Sequence, residues 1–181
     1  TNETELLLAL GNADIEKIIL GASFEVNASV VIGRDITIDG SGYAISKAGT
    51  PSYVSGGNNY VFKIYGMEHA DVVIKDVKLT NAMAAIMVGD YAHVSLDNVD
   101  LDGNVWGGIE VKDTSTTSLY VNVENLAYSE EAYGKPIAWV DAPEVANASI
   151  SFVLENTNWS VTTASVKNQT HYYLDAANAV E

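Results

Sequence analysis

No cysteine occurs among the 181 residues, so disulfide bridges, thiol catalysis and cysteine-ligated zinc are all excluded. With 3 prolines and only 18% charged residues, the composition is not that of a disordered chain. Cations are scarce, because 9 lysines and arginines face 24 aspartates and glutamates, for a net charge of −15. Such a surface repels phosphate backbones and anionic lipid, so we expect no nucleic-acid partner and no binding to membrane surfaces. No apolar run has the length of a membrane span, and we expect no membrane insertion.

The chain repeats one short pattern four times. Each six-residue stretch follows, with few exceptions, the order apolar, polar, Asn or Asp, apolar, polar, large apolar. The first residues of the stretches, which we call the first column, are Ile74, Leu96, Val123 and Leu154. They are spaced by 22, 27 and 31 residues (74 to 96, 96 to 123, 123 to 154). Strand patterns that recur at such intervals are typical of solenoids, in which successive turns of the chain stack on one another.

A second set of alternating apolar residues recurs between these stretches. Its equivalent positions, the second column, are spaced by 24, 23, 29 and 26 residues and are Ile64, Val88, Val111, Val140 and Val166. Two columns with similar periods predict an all-β fold, a single chain wound into a parallel β-helix with three strands per rung and about six to seven rungs. We expect one domain over residues 1–181, with rungs in 17–175 and alternate apolar residues pointing inward.

Two further features of the predicted β-helix are structural. Residues 2 to about 11 have the pattern of a short helix that begins at Thr1 or Asn2 and ends at Gly11, so we expect residues 1–12 to cap the first rung. The C-terminus shows no comparable cap, and we therefore expect a domain cut from a longer chain. At the tight turn of each rung we expect a hydrogen-bonded ladder of side chains that tolerate left-handed backbone: Asp76, Asn98, Asn125 and Asn156.

The segment from Ile18 to Tyr43, IILGASFEVNASVVIGRDITIDGSGY, resembles the first rungs of the pectate-lyase-like adhesive domains of large bacterial surface proteins. The helical residues ETELLLAL, from Glu3 to Leu10, are similar to the start of that family. The likeness extends over roughly residues 3–115, and later rungs match only through the repeat. It implies a right-handed parallel β-helix. It also implies a non-catalytic module of an extracellular, cell-surface or wall-associated protein that has further domains.

The outer face of the second-column strands is the predicted functional surface. Counting alternation from the second column, its outward side chains are Lys63, Met87, Glu110, Trp139 and Ser165. In the catalytic relatives of the family the corresponding face and its loops bind sugar. The resemblance therefore implies a ligand-binding platform made of Lys63, Met87, Trp106, Glu110, Tyr133 and Trp139. The alternative is that Trp139 or Trp106 folds inward to fill a wide rung, since a one-residue change of register makes Trp139 a core residue.

Catalytic and metal-binding groups are less evident. Arg34 is the one arginine and follows a strand beside Asp35, where a surface ion pair or turn contact is the simpler interpretation. The carboxylates that could serve in acid–base cleavage have no evident basic partner on the second column, and they are Glu110, Asp113 and Asp102. The residues from Asn98 to Gly103 match the first half of a calcium loop, but its twelfth position is Ile109 rather than Glu. Weak calcium binding at Asp100 and Asp102 therefore competes with a solvated acidic edge, and no other cofactor is expected.

Three functions are compatible with these patterns. We expect the first, a non-catalytic adhesion module that presents a strand face and loops to a glycan or to a host or cell-surface protein. The second is a polysaccharide lyase or glycoside hydrolase, and a lyase would need a basic residue near the outward carboxylates. The third is an architectural stalk whose faces bind nothing. Because a fold does not fix an activity, the choice depends on the geometry of the outer face.

Overall fold

A computed structural model describes residues 2–51, 59–66, 70–112, 119–124, 135–141, 148–153 and 159–176. Within these ranges the chain forms one helix and fifteen strands. They are α1 (Glu3–Leu10), β1 (Lys17–Ile19), β2 (Phe24–Val26), β3 (Val30–Ile32), β4 (Ile36–Asp39), β5 (Ala44–Lys47), β6 (Tyr60–Ile64), β7 (Ala70–Thr80), β8 (Ala84–Val88), β9 (Ala92–Asp100), β10 (Gly107–Val111), β11 (Leu119–Glu124), β12 (Ala138–Asp141), β13 (Ala148–Val153), β14 (Trp159–Val166) and β15 (Gln169–Ala176). No helix in the described ranges combines the length and the apolar character needed to cross a bilayer.

The strands form two sheets. Sheet A has the order β1-β4-β7-β9-β11-β13, and β5 pairs with both β2 and β7. Sheet B has the order β3-β6-β8-β10-β12-β15-β14. The pairings are parallel except those of β15 with β12 and with β14. Because parallel neighbours must be joined by a crossover, each pass of the chain visits the other sheet before it returns one strand further along. The all-β, parallel architecture predicted from the two columns is therefore confirmed.

Three of the four members of the first column stack as predicted. Ile74 pairs with Leu96, Leu96 pairs with Val123, and all three side chains are at most 1% exposed. The prediction of the fourth member is wrong, because Phe152 rather than Leu154 lies opposite Val123. A shift of two residues keeps the same side chains on the inward face, so the alternation in the sequence does not reveal it. Leu154 itself lies outside the described residues.

The second column is correct as far as β12. Four of its members lie in register on neighbouring strands of sheet B and are at most 1% exposed: Ile64, Val88, Val111 and Val140. The fifth, Val166, is wrong, because β15 runs antiparallel to β12 and places Thr170 opposite Val140. Aliphatic side chains stacked at every pass keep water out of the space between the sheets, and this burial is the main source of stability.

An antiparallel hairpin takes the place of the predicted last parallel rung. β14 and β15 pair along their whole length, from Trp159 opposite Ala176 to Val166 opposite Gln169. The two residues between them, Lys167 and Asn168, have φ of 48° and 66°. Positive φ at both central residues is the conformation of a two-residue hairpin turn, whose twist matches that of the strands. The hairpin covers the edge of β12 that a further parallel strand would otherwise occupy.

The helix α1 lies where the sequence predicts a cap. Asn2 is its N-cap residue and accepts a hydrogen bond from the Glu5 amide at 3.0 Å. Leu6 is 1% exposed and belongs to the main core. Glu3 ties the start of the helix to the first strands, because its carboxylate accepts from the Asn27 amide at 2.8 Å. The helix thus packs apolar surface into the main core and contacts β2, and its role as a cap stays a prediction.

Arg34 fastens the other end of the helix. Its guanidinium donates to three backbone carbonyls at the C-terminal end of the helix, those of Ala9 (3.1 Å) and Leu10 (3.0 Å) in the last turn and that of Asn12 (2.9 Å) just beyond it. It also donates to the Asp35 carbonyl at 3.0 Å, so the contact of Arg34 with its neighbour uses the backbone. The terminal carbonyls of a helix have no partners within the helix, and a cation placed there satisfies them. Arg34 is therefore a structural residue of the cap.

The ladder turns occur inside long strands. β7 and β9 each contain one residue with left-handed backbone, Asp76 and Asn98, both with φ of 52°. The Asn98 side-chain amide donates to the Asp76 carboxylate at 2.8 Å, which joins one pass to the next. Gly40 lies at the same place one pass earlier, and a Cβ atom there would lie 2.5 Å from the Asp76 carbonyl oxygen. Asn125 and Asn156 lie outside the described residues.

Candidate ligand-binding face on sheet B

The outer face of sheet B carries one row of side chains in register. Lys63, Met87, Glu110 and Trp139 follow one another on β6, β8, β10 and β12. The row continues to His171 on β15 rather than to Ser165, because the hairpin reverses the direction of the chain. The rings of Trp139 and His171 have centroids 6.3 Å apart. The strands thus hold these side chains at the regular spacing of a sheet, about 4.8 Å from one to the next.

Two members of the row, Met87 and Trp139, are buried although they point outward. Each is 3% exposed, and they belong to a small apolar cluster, separate from the main core, with Tyr60, Met83 and Ala84. The Trp139 ring fits because its neighbour is a glycine: a Cβ atom on Gly107 would lie 3.1 Å from the Trp139 ring. The sequence-based alternative of a buried Trp139 is therefore right about exposure, but the ring lies on the outer side of the sheet.

Glu110 is held by two neighbours in the middle of the row. The Tyr60 hydroxyl donates to the Glu110 carboxylate, and the Lys112 ammonium donates to the same hydroxyl at 2.8 Å. Lys112 also lies 3.9 Å from the Glu110 carboxylate and 5.2 Å from the centroid of the Tyr60 ring. The expectation that no basic residue lies near this carboxylate is therefore wrong. Lys112 was missed although it follows Glu110 by two residues and so points to the same face.

On one side of Glu110 lies a cavity of about 220 Å³, which we call the tryptophan cavity. The residues that give it its chemistry are Trp106, Trp139, Lys167, Gln169, His171 and Tyr173. Trp106 is 44% exposed, so part of its side chain is accessible, whereas Trp139 forms a buried wall. The hairpin supplies the polar groups, and the loop before β10 supplies the exposed ring. The structure thus brings together two of the predicted site residues with four that the sequence did not indicate.

His171 is fixed in one protonation state within the tryptophan cavity. Its Nε2 lies 2.9 Å from the Gln169 side-chain oxygen, and its Nδ1 lies 3.1 Å from the Tyr173 hydroxyl. Since the Gln169 oxygen can only accept, Nε2 carries the proton and Nδ1 accepts from the hydroxyl. Burial lowers the pKa of His171 below its ordinary value, so the imidazole is neutral at neutral pH. The cavity therefore contains a neutral, oriented polar group beside the aromatic rings.

On the other side of Glu110 lies a cavity of about 310 Å³, which we call the tyrosine cavity. It is lined by Lys63, Tyr65, Met87, Asp90 and Tyr91 together with Gly66 and Gly89. Tyr65 is 40% exposed, and the Lys63 ammonium lies 5.8 Å from the centroid of its ring. The predicted single platform is thus divided into two cavities, with the Glu110 contacts between them. Tyr133, the remaining predicted platform residue, lies outside the described residues.

The predicted calcium ligands have other partners. The Asp100 carboxylate pairs with the Lys78 ammonium at 3.0 Å and accepts from the Asp102 amide at 2.9 Å. Asp102 is only 5% exposed, and Asp113 lies outside the described residues. Within the described ranges there is no group of three or more His, Cys, Asp or Glu side chains that could hold a metal ion. The geometry thus gives calcium at Asp100 and Asp102 no support beyond the sequence pattern.

The residues that sequence reasoning missed come from the hairpin. Gln169, His171 and Tyr173 reach the tryptophan cavity because β15 lies beside β12, a placement that the assumption of another parallel rung excludes. The signal for the hairpin is weak, since the turn residues Lys167 and Asn168 include no glycine. The alternation on either side of the turn fits a parallel strand and an antiparallel strand equally well.

Fold and face together define a domain of stacked parallel strands whose outer surface carries two small cavities lined by aromatic rings. A scan against protein-family models matches residues 1–133 to the pectate lyase-like adhesive domain, and the chain belongs to that family. Neither a search of curated proteins nor a search of solved structures returned a match. The tyrosine cavity lies within the matched residues, whereas the hairpin side of the tryptophan cavity lies beyond them.

Proposed function

We propose that the chain is a non-catalytic adhesion module that binds a glycan in the tryptophan cavity. The observation that carries this proposal is the position of Trp106, which is 44% exposed and lines one cavity with Trp139 and Tyr173. An exposed indole costs free energy in water unless something covers it. The apolar face of a pyranose ring is a cover that also brings hydroxyl groups, and these need polar partners at the edge of the indole.

The polar partners are present in the same cavity. The Lys167 ammonium can donate to neutral hydroxyls, and Gln169 contributes a side-chain amide. The Tyr173 hydroxyl gives its proton to His171 and can still accept from a sugar hydroxyl. Ligand sites with this composition, apolar walls with a few convergent polar groups, are the common kind for small molecules. A large anionic ligand is disfavoured by the net charge of −15, so a neutral glycan fits better than a strongly acidic one.

The family also supports a proposal about where the module is located. Membership of an adhesive-domain family supports an adhesion-type role, and we propose an extracellular, cell-surface or wall-associated location with further domains in the same polypeptide. We also propose that the parallel strands wind as a right-handed β-helix of about six to seven rungs with three strands each. A stiff solenoid of this kind would hold its faces at a fixed distance from a surface, and a host or cell-surface protein is the other ligand to test.

A glycan array probed with matched variants tests the proposal. We expect wild type to retain one class of neutral glycan and Trp106→Ala to bind it about tenfold more weakly, because the stacking surface is lost. Tyr43→Ala is the matched control, since Tyr43 is similarly exposed at 39% but does not line the cavity. Equal losses in the two variants, or none in Trp106→Ala, would contradict the site. If wild type retains no glycan and no surface protein, the chain is an architectural stalk.

One observation, the position of Lys112, supports lyase activity as a second candidate function. Elimination requires a basic group near the sugar carbon that loses its proton, and Lys112 lies beside the Glu110 carboxylate on the outer face. Its ammonium already donates to Tyr60, which favours a structural role. We therefore expect no unsaturated sugar, followed by ultraviolet absorbance, when wild type is incubated with polysaccharides. Product that appears with wild type and disappears with Lys112→Ala would establish a lyase instead.

A further inference from the structure

The tyrosine cavity shares no lining residue with the tryptophan cavity, and the Tyr60, Glu110 and Lys112 contacts lie between them. We propose that it is a second carbohydrate site, which takes one neutral sugar unit. The proposal does not require the tryptophan cavity to bind anything. At about 310 Å³ the cavity is at the small end of ligand pockets, which hold roughly 300 to 1,000 Å³, so it suits a single ring rather than a long ligand.

The lining residues select the ligand by elimination. An anion would meet the Asp90 carboxylate, and a cation would meet the Lys63 ammonium, so neither charge sign is favoured. A purely apolar ligand would remove both charged groups from water without replacing their hydrogen bonds. A neutral polyol with one apolar face avoids all three problems, because its carbon-bound hydrogens contact Tyr65 and Tyr91 while its hydroxyls reach the charged groups. Met87, which is 3% exposed, adds apolar surface to the same cavity.

Tyr91 has a backbone conformation that its side chain disfavours. Its φ is 61°, in the left-handed region, which a bulky residue adopts only at a cost in free energy. The neighbouring pass holds the backbone there: the Gly66 amide donates to the Asp90 carbonyl at 2.9 Å, and the Ala70 amide donates to the Tyr91 carbonyl at 3.1 Å. These contacts use main-chain atoms alone, so a glycine at 91 would form the same turn more easily. Strain held in place by its surroundings is a feature of ligand sites.

Opposite effects of one substitution on stability and binding provide the test. We expect Tyr91→Gly to unfold at the same temperature as wild type or higher, because the strained backbone is relieved. We expect the same variant to bind sugar about tenfold more weakly, because one ring of the cavity is gone. Ser41→Gly is the matched control: Ser41 has φ of 50° in another turn and does not line the cavity, so binding should be unchanged. Tyr65→Ala, which keeps the backbone of the turn, should reproduce the loss of binding.

The probes are methyl β-D-glucopyranoside and methyl β-D-galactopyranoside, with saturation transfer from protein to sugar measured by nuclear magnetic resonance. Each substitution is also combined with Trp106→Ala in a double variant, so that the remaining signal reports the tyrosine cavity alone. Signal that persists in Trp106→Ala and falls in Tyr91→Gly and Tyr65→Ala supports the second site. Signal lost in Trp106→Ala but unchanged in Tyr91→Gly overturns it and leaves the tryptophan cavity as the sugar site. Absence of signal from wild type with both probes also overturns it.

Discussion

The parallel strands β6, β8 and β10 bury their inward side chains completely, whereas the hairpin β14–β15 leaves most of its described side chains partly or fully exposed. Ile64, Val88 and Val111 are each 0% exposed, while Thr162 and Thr163 on β14 are exposed. The inward side chains of the stacked strands have little to offer a ligand because they already contact each other. The hairpin satisfies its backbone by pairing but not its side chains, so it can supply polar groups to a cavity. Stability thus comes mainly from the inward side chains of the stacked strands, whereas the polar groups of the tryptophan cavity come from the hairpin.

The largest expected effect is in the stacked strands. Ile74→Ala should lower the free energy of unfolding by about 3–4 kcal/mol, because a fully buried side chain is replaced by a cavity. Ile150→Ala, the same change on β13, where the side chain is only partly buried, should cost about 1–2 kcal/mol. Urea unfolding followed by circular dichroism measures both. Equal losses would mean that the chain is packed as tightly near its last parallel strand as in its middle.

The same contrast explains which parts of the fold the sequence predicts. Ile74, Leu96 and Val123 are readable because a buried parallel strand needs aliphatic side chains at every second residue, and its neighbour needs the same. The sequence did not reveal that Phe152, rather than Leu154, lies opposite Val123, because a two-residue shift preserves that alternation. The hairpin was missed because pairing direction depends on the Lys167 and Asn168 turn, and the side-chain period is the same in both directions.

The sequence predicts which residues lie on the outer face of sheet B, but not how exposed their side chains are. The register of Lys63, Met87 and Glu110 follows from alternation along each strand. The burial of Trp139 depends on a glycine on the neighbouring strand, Gly107, and on side chains that reach across several passes. Such contacts are between residues far apart in sequence, and a single sequence does not specify them. The division into two cavities is therefore visible only in the structure.

Gly107 lies on a stacked strand, β10, next to the Trp139 ring of the tryptophan cavity, and we expect its substitution to have the next largest effect. In Gly107→Ala the new Cβ would lie 2.1 Å from the Pro136 carbonyl oxygen, and φ of 147° suits only glycine. We expect a loss of about 2 kcal/mol in the free energy of unfolding. We also expect weaker glycan binding, because the Trp139 ring must move. Gly42→Ala is the control with open space and φ of 83°, and it should cost about 1 kcal/mol or less without affecting binding.

Substitutions of Arg34 test how much the contacts of α1, at the end of the molecule opposite the hairpin, contribute to stability. Arg34→Ala removes three hydrogen bonds to carbonyls at the C-terminal end of α1 and should cost about 1.5 kcal/mol. Arg34→Lys should recover little of this, since an ammonium lacks the planar fork that reaches several carbonyls at once. Lys167→Ala, in the exposed hairpin turn, should stay within about 0.5 kcal/mol of wild type. Full recovery by lysine would show that charge near the helix end matters more than geometry.

Acidification should affect the two regions at different pH, and this is the smallest expected effect. Burial alone raises the pKa of Asp39, but hydrogen bonds from Lys75 and Lys17 outweigh it and lower the pKa from 3.8 to about 2. The stability that Asp39 contributes is therefore present above about pH 4 and is lost as pH falls towards 2. Burial lowers the pKa of His171 from 6.5, so its contribution is lost as pH falls below 6.5. Both groups destabilise the fold when protonated, but His171 acts first.

Residue-resolved nuclear magnetic resonance during an acid titration separates these two steps. We expect the amides of β15 to change first, below pH 6.5, while those of β4 stay constant until the Asp39 step. His171→Gln should abolish the upper step, and Asp39→Asn should abolish the lower one. Simultaneous change in both sheets would mean that the hairpin and the stacked strands form one cooperative unit. The two regions would then differ in packing but not in local stability.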